Sequence, residues 1–448
     1  MNTFKEFERY IAHLSEGLGH ADRHAGLKGY CTGLMLPLAR KSVEPMAAGL
    51  EPLRVSARHQ ALHHFVAKSE WSDAVVLERV REWVAPALGL QDGCYWIVDD
   101  TGVPKKGKHS VGVARQYCGQ LGKQDNCQVA VSLSLASTRG SVPIAYQLYL
   151  PRDWADDAAR RQTAGVPQEV VFATKPAIAL EQMRRALAQG VRPGVVLADA
   201  GYGDETAFRD GLAALGLLYA VGIRPATTVW APGTAPLPPK AWVGRGAKPT
   251  KLRREPGHEP VSVKALAMSL APEAWQAGVT WREGTNEALS GRFAALRVRA
   301  AHRDYLATEM RAEEWLLIEW PEGDKEPAKY FLSTAPVDAS LEQLVFVSKM
   351  RWRIERDYQD LKQDFGLGHF EGRGWRGFHH HATLSIAAYG FLMAQRLKMG
   401  SGFKADLKKK LAQRQAPGIP ENFVPRGSPA RPTPYTRLDH DAAHQPER

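Results

Sequence analysis

Cysteine is scarce in this chain, with four residues among 448. They show neither the Cys-x-x-Cys spacing of a zinc finger nor the density of a disulfide framework. The composition therefore excludes a zinc finger and a secreted disulfide scaffold, and it predicts reduced thiols in a cytoplasmic protein. The four positions are Cys31, Cys94, Cys118 and Cys127.

Long apolar runs are also lacking. The amino-terminal segment reads MNTFKEFERY, without the basic-then-apolar order of a signal peptide. The most apolar late run, LSIAAYGFLMAQRL, is too short to span a bilayer. We therefore expect no membrane segment.

Basic residues are in excess, with 59 Lys and Arg against 48 Asp and Glu and a net charge of +11. This balance favours a polyanionic partner, although it would also suit a ribosomal or membrane-surface protein. A hydrophobic fraction of 44% supports real cores, and the length suggests about two to four domains.

Acidic residues end two apolar strands. The segment CYWIVDDTGVPKKG leads into Asp99 and Asp100, and VRPGVVLADAGYGDE leads into Asp199. Side chains alternate along a strand, so only one of the adjacent pair faces a given site. Both faces of the first strand are apolar, which predicts a central strand where an unpaired carboxylate is costly. A bound metal ion would remove that cost.

A third acid lies in RWRIERDYQDLKQDFGL, where an apolar stripe runs at helical spacing from Val347 to Phe365. A polar row of Arg351, Glu355 and Lys362 follows the same spacing, rotated by about 100°. We expect this helix to pack with Glu355 at its buried edge. The alternative is that Arg351 and Glu355 form an i,i+4 surface ion pair.

The order Asp100, Asp199 and Glu355 on strand, strand and helix resembles the bacterial insertion-sequence transposases of the DDE type. The likeness covers about residues 90 to 400, and includes the segments around DDTGVPKKG and HFEGRGWRGF. In that family the last acid lies in a pattern of Tyr, two residues, Arg, three residues, Glu, six residues, Lys. Arg351, Glu355 and Lys362 match this pattern, and Ser348 takes the Tyr position.

The resemblance implies an RNase H-like core that holds two Mg²⁺ ions, with Mn²⁺ able to substitute. Asp100 and Asp199 would bind the metals, and Glu355 would complete the shell of the second. Asp100 is preferred to Asp99 because it stands before Thr101 in the family pattern. Oxygen ligands suit hard cations, so this donor set fits magnesium. The site would cut one strand and join the freed 3′ hydroxyl to target DNA.

The implied partner is double-stranded DNA, both as element ends and as target, and a homodimer is expected because two ends must be brought together. The protein would be cytoplasmic and associated with the nucleoid. Arg351 and Lys362 would contact phosphates beside the cut, with the lysines of the following loop further out. These lysines are Lys105, Lys106 and Lys108.

Three alternatives remain. One is a transposase-derived protein that binds DNA but no longer cuts it, and another is a structure-specific nuclease on the same core. A third is a phosphatase with an aspartate nucleophile, suggested by DDTG. That motif requires a second Asp two residues after the first and a Thr at another offset, and the sequence has neither.

We predict an α/β protein in which an RNase H-like mixed sheet is flanked by helices, with a β-rich insertion and an N-terminal helical domain. The insertion would close over the DNA end. The ranges are 1–90 for the helical, DNA-end-binding domain, 91–224 and 328–400 for the two parts of the catalytic core, 225–327 for the insertion, and 401–448 for a basic, disordered tail.

Three further features of the sequence have two interpretations each. The basic, His-rich face of the first domain reads DNA ends or is an ordinary solvated surface. Trp281 stacks on a displaced base or packs in a core. Three consecutive histidines cannot share one helix or strand face, so they indicate phosphate contact or packing rather than a metal site. The residues of the face are Arg54, Arg58, His59, His63 and His64, and the consecutive histidines are His379, His380 and His381.

Overall fold

The computed structural model describes residues 3–283 and 288–399. The predicted tail, 401–448, lies outside the described residues. One large mixed sheet dominates the described part. Its strands are β1 (Tyr95–Pro104), β2 (Ala114–Cys118), β3 (Lys123–Ala136), β4 (Ser141–Leu148), β5 (Val195–Ala198), β6 (Tyr219–Ile223), β7 (Thr228–Trp230), β8 (Val261–Ser262), β9 (Gln276–Glu283), β10 (Ala288–Ala300), β11 (Glu314–Trp320) and β12 (Lys329–Ser333).

Helices precede, interrupt and follow the strands. They are α1 (Thr3–Ser15), α2 (Arg23–Met35), α3 (Val43–Leu50), α4 (Val55–Ala67), α5 (Asp73–Leu88), α6 (Arg152–Ala155), α7 (Ala158–Ala164), α8 (Lys175–Ala188), α9 (Ala200–Gly203), α10 (Thr206–Ala214), α11 (Val263–Met268), α12 (Leu341–Lys349), α13 (Trp352–Gln363) and α14 (Trp375–Met399). No helix within the described ranges combines the length and apolarity needed to cross a membrane.

The first half of the sheet has the order β4, β3, β1, β5, β6. The first three strands pair antiparallel, whereas β5 and β6 run parallel to β1. Three antiparallel strands followed by helix-linked parallel strands form the RNase H-like arrangement, so the predicted fold class is confirmed. Its cause is visible in β1, where Tyr95 to Val98 are buried on both faces because helices cover the two sides of the sheet.

The strands between residues 225 and 327 join the same sheet through β12, which follows this range. Strand β12 pairs antiparallel with β6, and β11 and β10 follow in turn. An uncovered β6 would present unpaired backbone groups, and β12 satisfies them. The β-rich segment therefore extends the core sheet sideways.

The N-terminal helices pack around α14. The Tyr10 hydroxyl donates a hydrogen bond to the Ala387 carbonyl at 2.8 Å, and the ring centroids of Phe7 and Phe391 lie 5.1 Å apart. Most of α14 is buried, as expected for a helix that is apolar on every side. Helices from both ends of the described chain thus share one hydrophobic core with the sheet.

The apolar stripe predicted from Val347 to Phe365 is divided between α12 and α13, with Met350 and Arg351 at the junction. The stripe nevertheless faces inward, since Met350, Ile354 and Leu361 are buried. The junction brings Arg351 to the start of α13, next to the sheet.

Candidate active site

Asp99 and Asp199 lie side by side where β1 and β5 leave the core. The parallel pairing aligns Tyr95 with Val195 and Ile97 with Leu197. Continuing this register by two residues places Asp99 beside Asp199, and side chains at one register position of neighbouring strands point to the same face. Asp199 also begins α9, where its Oδ1 accepts a hydrogen bond from the Gly201 amide at 2.9 Å.

Helix α13 covers the face to which Asp99 points. The guanidinium of Arg351 lies 3.0 Å from Asp99 Oδ2 and 3.5 Å from Glu355 Oε1. On β3, the residue opposite Asp99 is Ser132, whose Oγ is hydrogen-bonded to the Tyr358 hydroxyl of α13 at 2.8 Å. Asp99 and Asp199 therefore share the face that α13 covers, and the Arg351 cation lies between Asp99 on the strand and Glu355 on the helix.

Asp100 points to the other face of the sheet. Its Oδ2 is 2.6 Å from Nζ of Lys175, the first residue of α8. Helix α8 packs on this face, since Gln182 donates to the carbonyl of Val131, the residue opposite Asp100. Asp100, the metal ligand expected from the family pattern, thus lies on the α8 side of the sheet, whereas Asp99 shares a face with Asp199 and α13.

Glu355 is not at a buried edge, contrary to the expectation from the helical pattern. Its side chain is 67% exposed, while the adjacent apolar stripe carries the packing. The alternative, an i,i+4 ion pair with Arg351, is present, and such exposed pairs add little stability. Glu355 is thus free to turn toward a ligand that arrives from solvent.

Burial raises the pKa of Asp99 to about 7, opposed by Arg351 and assisted by the negative charges of Asp199 and Asp100. A carboxylate held in this way gains from a cation at its side. Arg351 stands where positive charge is needed between Asp99 and Glu355.

The hydroxyl of Tyr202, at the end of the DAGY segment, is buried and has no hydrogen-bond partner within the described residues. Burial raises its pKa, and so do the nearby charges of Asp100, Asp99 and Asp199. An orphaned buried hydroxyl beside carboxylates is costly unless a ligand completes it. Tyr202 stands three residues after Asp199 in the segment VRPGVVLADAGYGDE, and nothing in that segment marks its hydroxyl as unpartnered.

The chemistry of the donor set fits a hard divalent cation, because Asp99, Asp199 and Glu355 supply carboxylate oxygens without His or Cys. As the side chains stand, however, no three His, Cys, Asp or Glu residues of the described ranges are close enough together to hold one ion. Arg351 and Lys175 occupy the carboxylates instead. Metal binding at Asp99 requires the guanidinium to move away.

The lysines predicted to contact DNA lie along β1 and in the loop that follows it. Lys362 Nζ donates to the Gly102 carbonyl at 3.2 Å, and burial lowers its pKa. Lys105 Nζ donates to the Phe370 carbonyl at 2.7 Å, and burial lowers its pKa to about 8. Lys106 and Lys108 are exposed in the loop that follows.

Trp281 packs within the lateral part of the sheet. Its ring meets Phe293 edge-on at 5.7 Å between centroids, and Lys349 Nζ lies 4.4 Å from the ring centre. The ring is partly buried in a separate small cluster. These contacts agree with the packing alternative.

The three consecutive histidines are buried and serve packing. His379 accepts a hydrogen bond from the Leu148 amide, and both nitrogens of His381 are occupied by Tyr30 and the Gly366 carbonyl. Burial lowers the pKa of His380 and of His381 to about 4. Neutral buried rings do not attract phosphate.

Ser348, at the family's Tyr position, is also buried, and its Oγ has no hydrogen-bond partner within the described residues.

Comparisons with known proteins found a family model, a curated relative and a solved structure that are similar to this chain. The family model described as "DDE superfamily endonuclease" matches residues 13–288, which include the strand acids but end before Glu355. A curated relative from Microchaete diplosiphon, "Probable transposase for insertion sequence element IS701", is 33% identical over 195 residues. The match covers 43% of this chain and 47% of the relative, so the chain spans about half of the relative's length.

A solved structure, "Cryo-EM structure of piggyBac transposase synaptic complex with hairpin DNA (SNHP)", aligns with a TM-score of 0.35 and 11% identity. The alignment covers 83% of this chain and 66% of that one.

Proposed function

Because the chain belongs to the DDE superfamily endonucleases, whose family model matches more than half of it, we propose that it is a DNA transposase that cuts at element ends and joins them to target DNA. The observation that carries the proposal is that Asp99 and Asp199 share one face of the sheet, where Arg351, at the start of α13, joins Asp99 to Glu355. Oxygen donors at adjacent strand ends suit a divalent metal site.

Asp99 and Asp199 would hold the metals, with Glu355 reaching them from α13. Two Mg²⁺ ions, for which Mn²⁺ can substitute, would activate the attacking oxygen and neutralise the charge that develops on the phosphate. Arg351, released from Asp99, would bind phosphate oxygens near the cut. The Tyr202 hydroxyl would donate its hydrogen bond to an oxygen held at the site.

The remaining basic groups would position DNA. Lys362 lies against the carbonyl of Gly102, three residues beyond Asp99 on β1, where a phosphate next to the cut would pass. Lys105 and the exposed loop lysines follow along the same strand direction. The DNA partner would be duplex, the active form would be a homodimer that joins two ends, and the protein would work at the nucleoid.

The test is metal-dependent cleavage of the DNA that flanks the gene, by wild type and by Asp99→Asn, Asp199→Asn, Glu355→Gln and Asp100→Asn. We expect the first three variants to bind DNA but to lose cleavage by at least about a thousandfold. Asp100→Asn is the matched control, since it removes the same charge one residue away on the opposite face.

Other outcomes separate the alternatives. If Asp100→Asn abolishes cleavage and Asp99→Asn does not, Asp100 is the metal ligand, as the family pattern implies. Asp99 is then not the ligand, although it shares a face with Asp199. Wild type that binds element ends but never cuts them with Mg²⁺ or Mn²⁺ would be an inactive DNA-binding derivative. Cleavage of branched DNA regardless of terminal sequence would identify a structure-specific nuclease.

A further inference from the structure

A cavity of about 780 Å³ lies between α4, the end of α7 and the segment that joins α13 to α14. Asp99, Asp199 and Glu355 are not among the residues that line it. We call it the α4 groove. Its walls carry six basic or titratable nitrogen side chains against two acidic ones, Glu44 and Glu371. The six are His59, His63, Lys68, His369, Arg373 and Arg376.

The positive charge of the groove is only partly neutralised. Glu371 is paired with Arg40, which lies outside the lining, and Arg376 is 3.2 Å from Glu70. Lys68 and Arg373 are both exposed, and neither has an acidic partner within the described residues. Two unpaired cations therefore point into a concave surface, which is the arrangement that attracts phosphate.

Two imidazoles add to one wall. His59 and His63 lie one turn apart on α4, with their rings nearly parallel at 8° and their centroids 6.1 Å apart. Neither ring forms a hydrogen bond within the described part of the chain, in contrast to the buried histidines of α14. Their nitrogens are available to phosphate oxygens.

The opposite wall is the start of α14. This 25-residue helix has no acidic residue in its first turn, and Gly374, Arg376 and Gly377 face the groove. The first amides of a helix lack partners within the helix and carry its positive dipole end. Here they strengthen a site that the side chains already make positive.

The groove is joined to the candidate active site through β1. Lys105, near the end of that strand, donates to the carbonyl of Phe370 on the groove wall. Six residues of strand separate Asp99 from Lys105, or about 20 Å. Duplex DNA rises about 3.4 Å per base pair, so this distance corresponds to about six base pairs.

We infer that the α4 groove binds the sugar-phosphate backbone of duplex DNA about six base pairs from the position of cleavage. The inference rests on the proposed function, since it takes the cut to lie at Asp99. Contacts come from Lys68, Arg373 and the first turn of α14. Because they are to phosphates, they act on any sequence and set the register of the DNA.

The test compares a groove variant, Lys68→Ala with Arg373→Ala, with a control, Arg184→Ala with Arg185→Ala. The control removes the same charge from exposed residues of α8, both paired with Glu181 and outside the groove. Affinity for a long element-end duplex is measured without metal by fluorescence anisotropy, at about 50 to 200 mM salt. A second duplex extends only about three base pairs on either side of the cut and is closed by a hairpin loop at the end away from the groove, so that it stays base-paired.

We expect the groove variant to bind the long duplex about tenfold more weakly, with the slope of log affinity against log salt reduced by about 1.8 for two lost phosphate contacts. The short duplex and the control variant should show no such change. The inference would be overturned if the groove variant bound the long duplex with the same affinity and salt slope as wild type. It would also be overturned if the variant lost as much affinity for the short duplex as for the long one. Failure of the proposed function would appear separately, as wild type that binds DNA without cutting it when metal is added. Thermal unfolding of both variants checks that they are folded.

Discussion

Asp357 should make the stability of this protein depend on pH. It lies on α13, two residues after Glu355, and its side chain is buried against β4 and α14. Its Oδ1 accepts hydrogen bonds from Ser141 Oγ at 2.8 Å and from the Tyr389 hydroxyl at 2.6 Å. Its Oδ2 has no partner within the described residues. Burial raises the pKa of Asp357 to about 7, although both hydroxyls lower it.

The sign follows from the two pKa values. The folded protein binds a proton at Asp357 up to about pH 7, whereas the unfolded chain releases it near the ordinary value of 3.8. Wild type is therefore most stable with respect to this group below 3.8, and it loses stability as the pH rises to about 7. Each pH unit in this window corresponds to about 1.36 kcal/mol, which gives about 2.7 kcal/mol between pH 5 and pH 7.

Asp357→Asn removes this titration and keeps an oxygen for both hydroxyl donors. We expect the difference in unfolding free energy between the variant and wild type to grow by about 2 to 3 kcal/mol from pH 5 to pH 8, in favour of the variant. The measurement is urea unfolding without metal. Tyr389→Phe is the control, because it loses a hydrogen bond but keeps the carboxyl and should still lose stability as the pH rises. The same pH dependence in wild type and Asp357→Asn would refute the reasoning.

Three other substitutions test individual contacts. Tyr202→Phe removes the unpartnered hydroxyl, so its free energy of unfolding should stay within about 1 kcal/mol of the wild-type value while cleavage slows; a clear loss of stability would show that the hydroxyl has a partner in the protein. Gly203→Ala places a Cβ 2.1 Å from the Gly222 carbonyl oxygen and 2.7 Å from Val221 Cβ, which should cost about 3 kcal/mol in urea unfolding, and a tolerated alanine would contradict the close packing of α9 on β6. Ser72 caps α5 by accepting from the Val75 amide, so Ser72→Ala should cost about 1 kcal/mol, and an unchanged midpoint would mean that the cap is unimportant.

The sequence predicted the central strand because its signal is local. Residues 95 to 98 are apolar on both faces, and two acids follow at once. The choice between those acids is not local, since it depends on which helix covers which face. Both helices lie far along the chain, and only the register of β1 with β5 and the position of α13 separate Asp99 from Asp100.

The exposure of Glu355 and the extent of the sheet could not be predicted from the sequence, because both depend on contacts between distant segments. A helical pattern gives the direction of a side chain but not where the covering sheet ends, so the exposed rim could not be foreseen. Strand β12 pairs with β6 across more than a hundred residues. Such pairings leave little sign in either segment, because each reads only as an apolar strand.

The shared core of the first helices and α14 also affects synthesis of the chain. Tyr10 finds its acceptor at Ala387, a separation of 377 residues. At about 5 to 20 residues per second, a ribosome needs about 20 to 75 seconds to make the intervening chain. Throughout that interval α1 and α2 can pack against each other and against α3, α4 and α5, but the surface that they present to α14 lacks its native cover. The core that the first helices share with α14 is therefore completed only after α14 has left the ribosome.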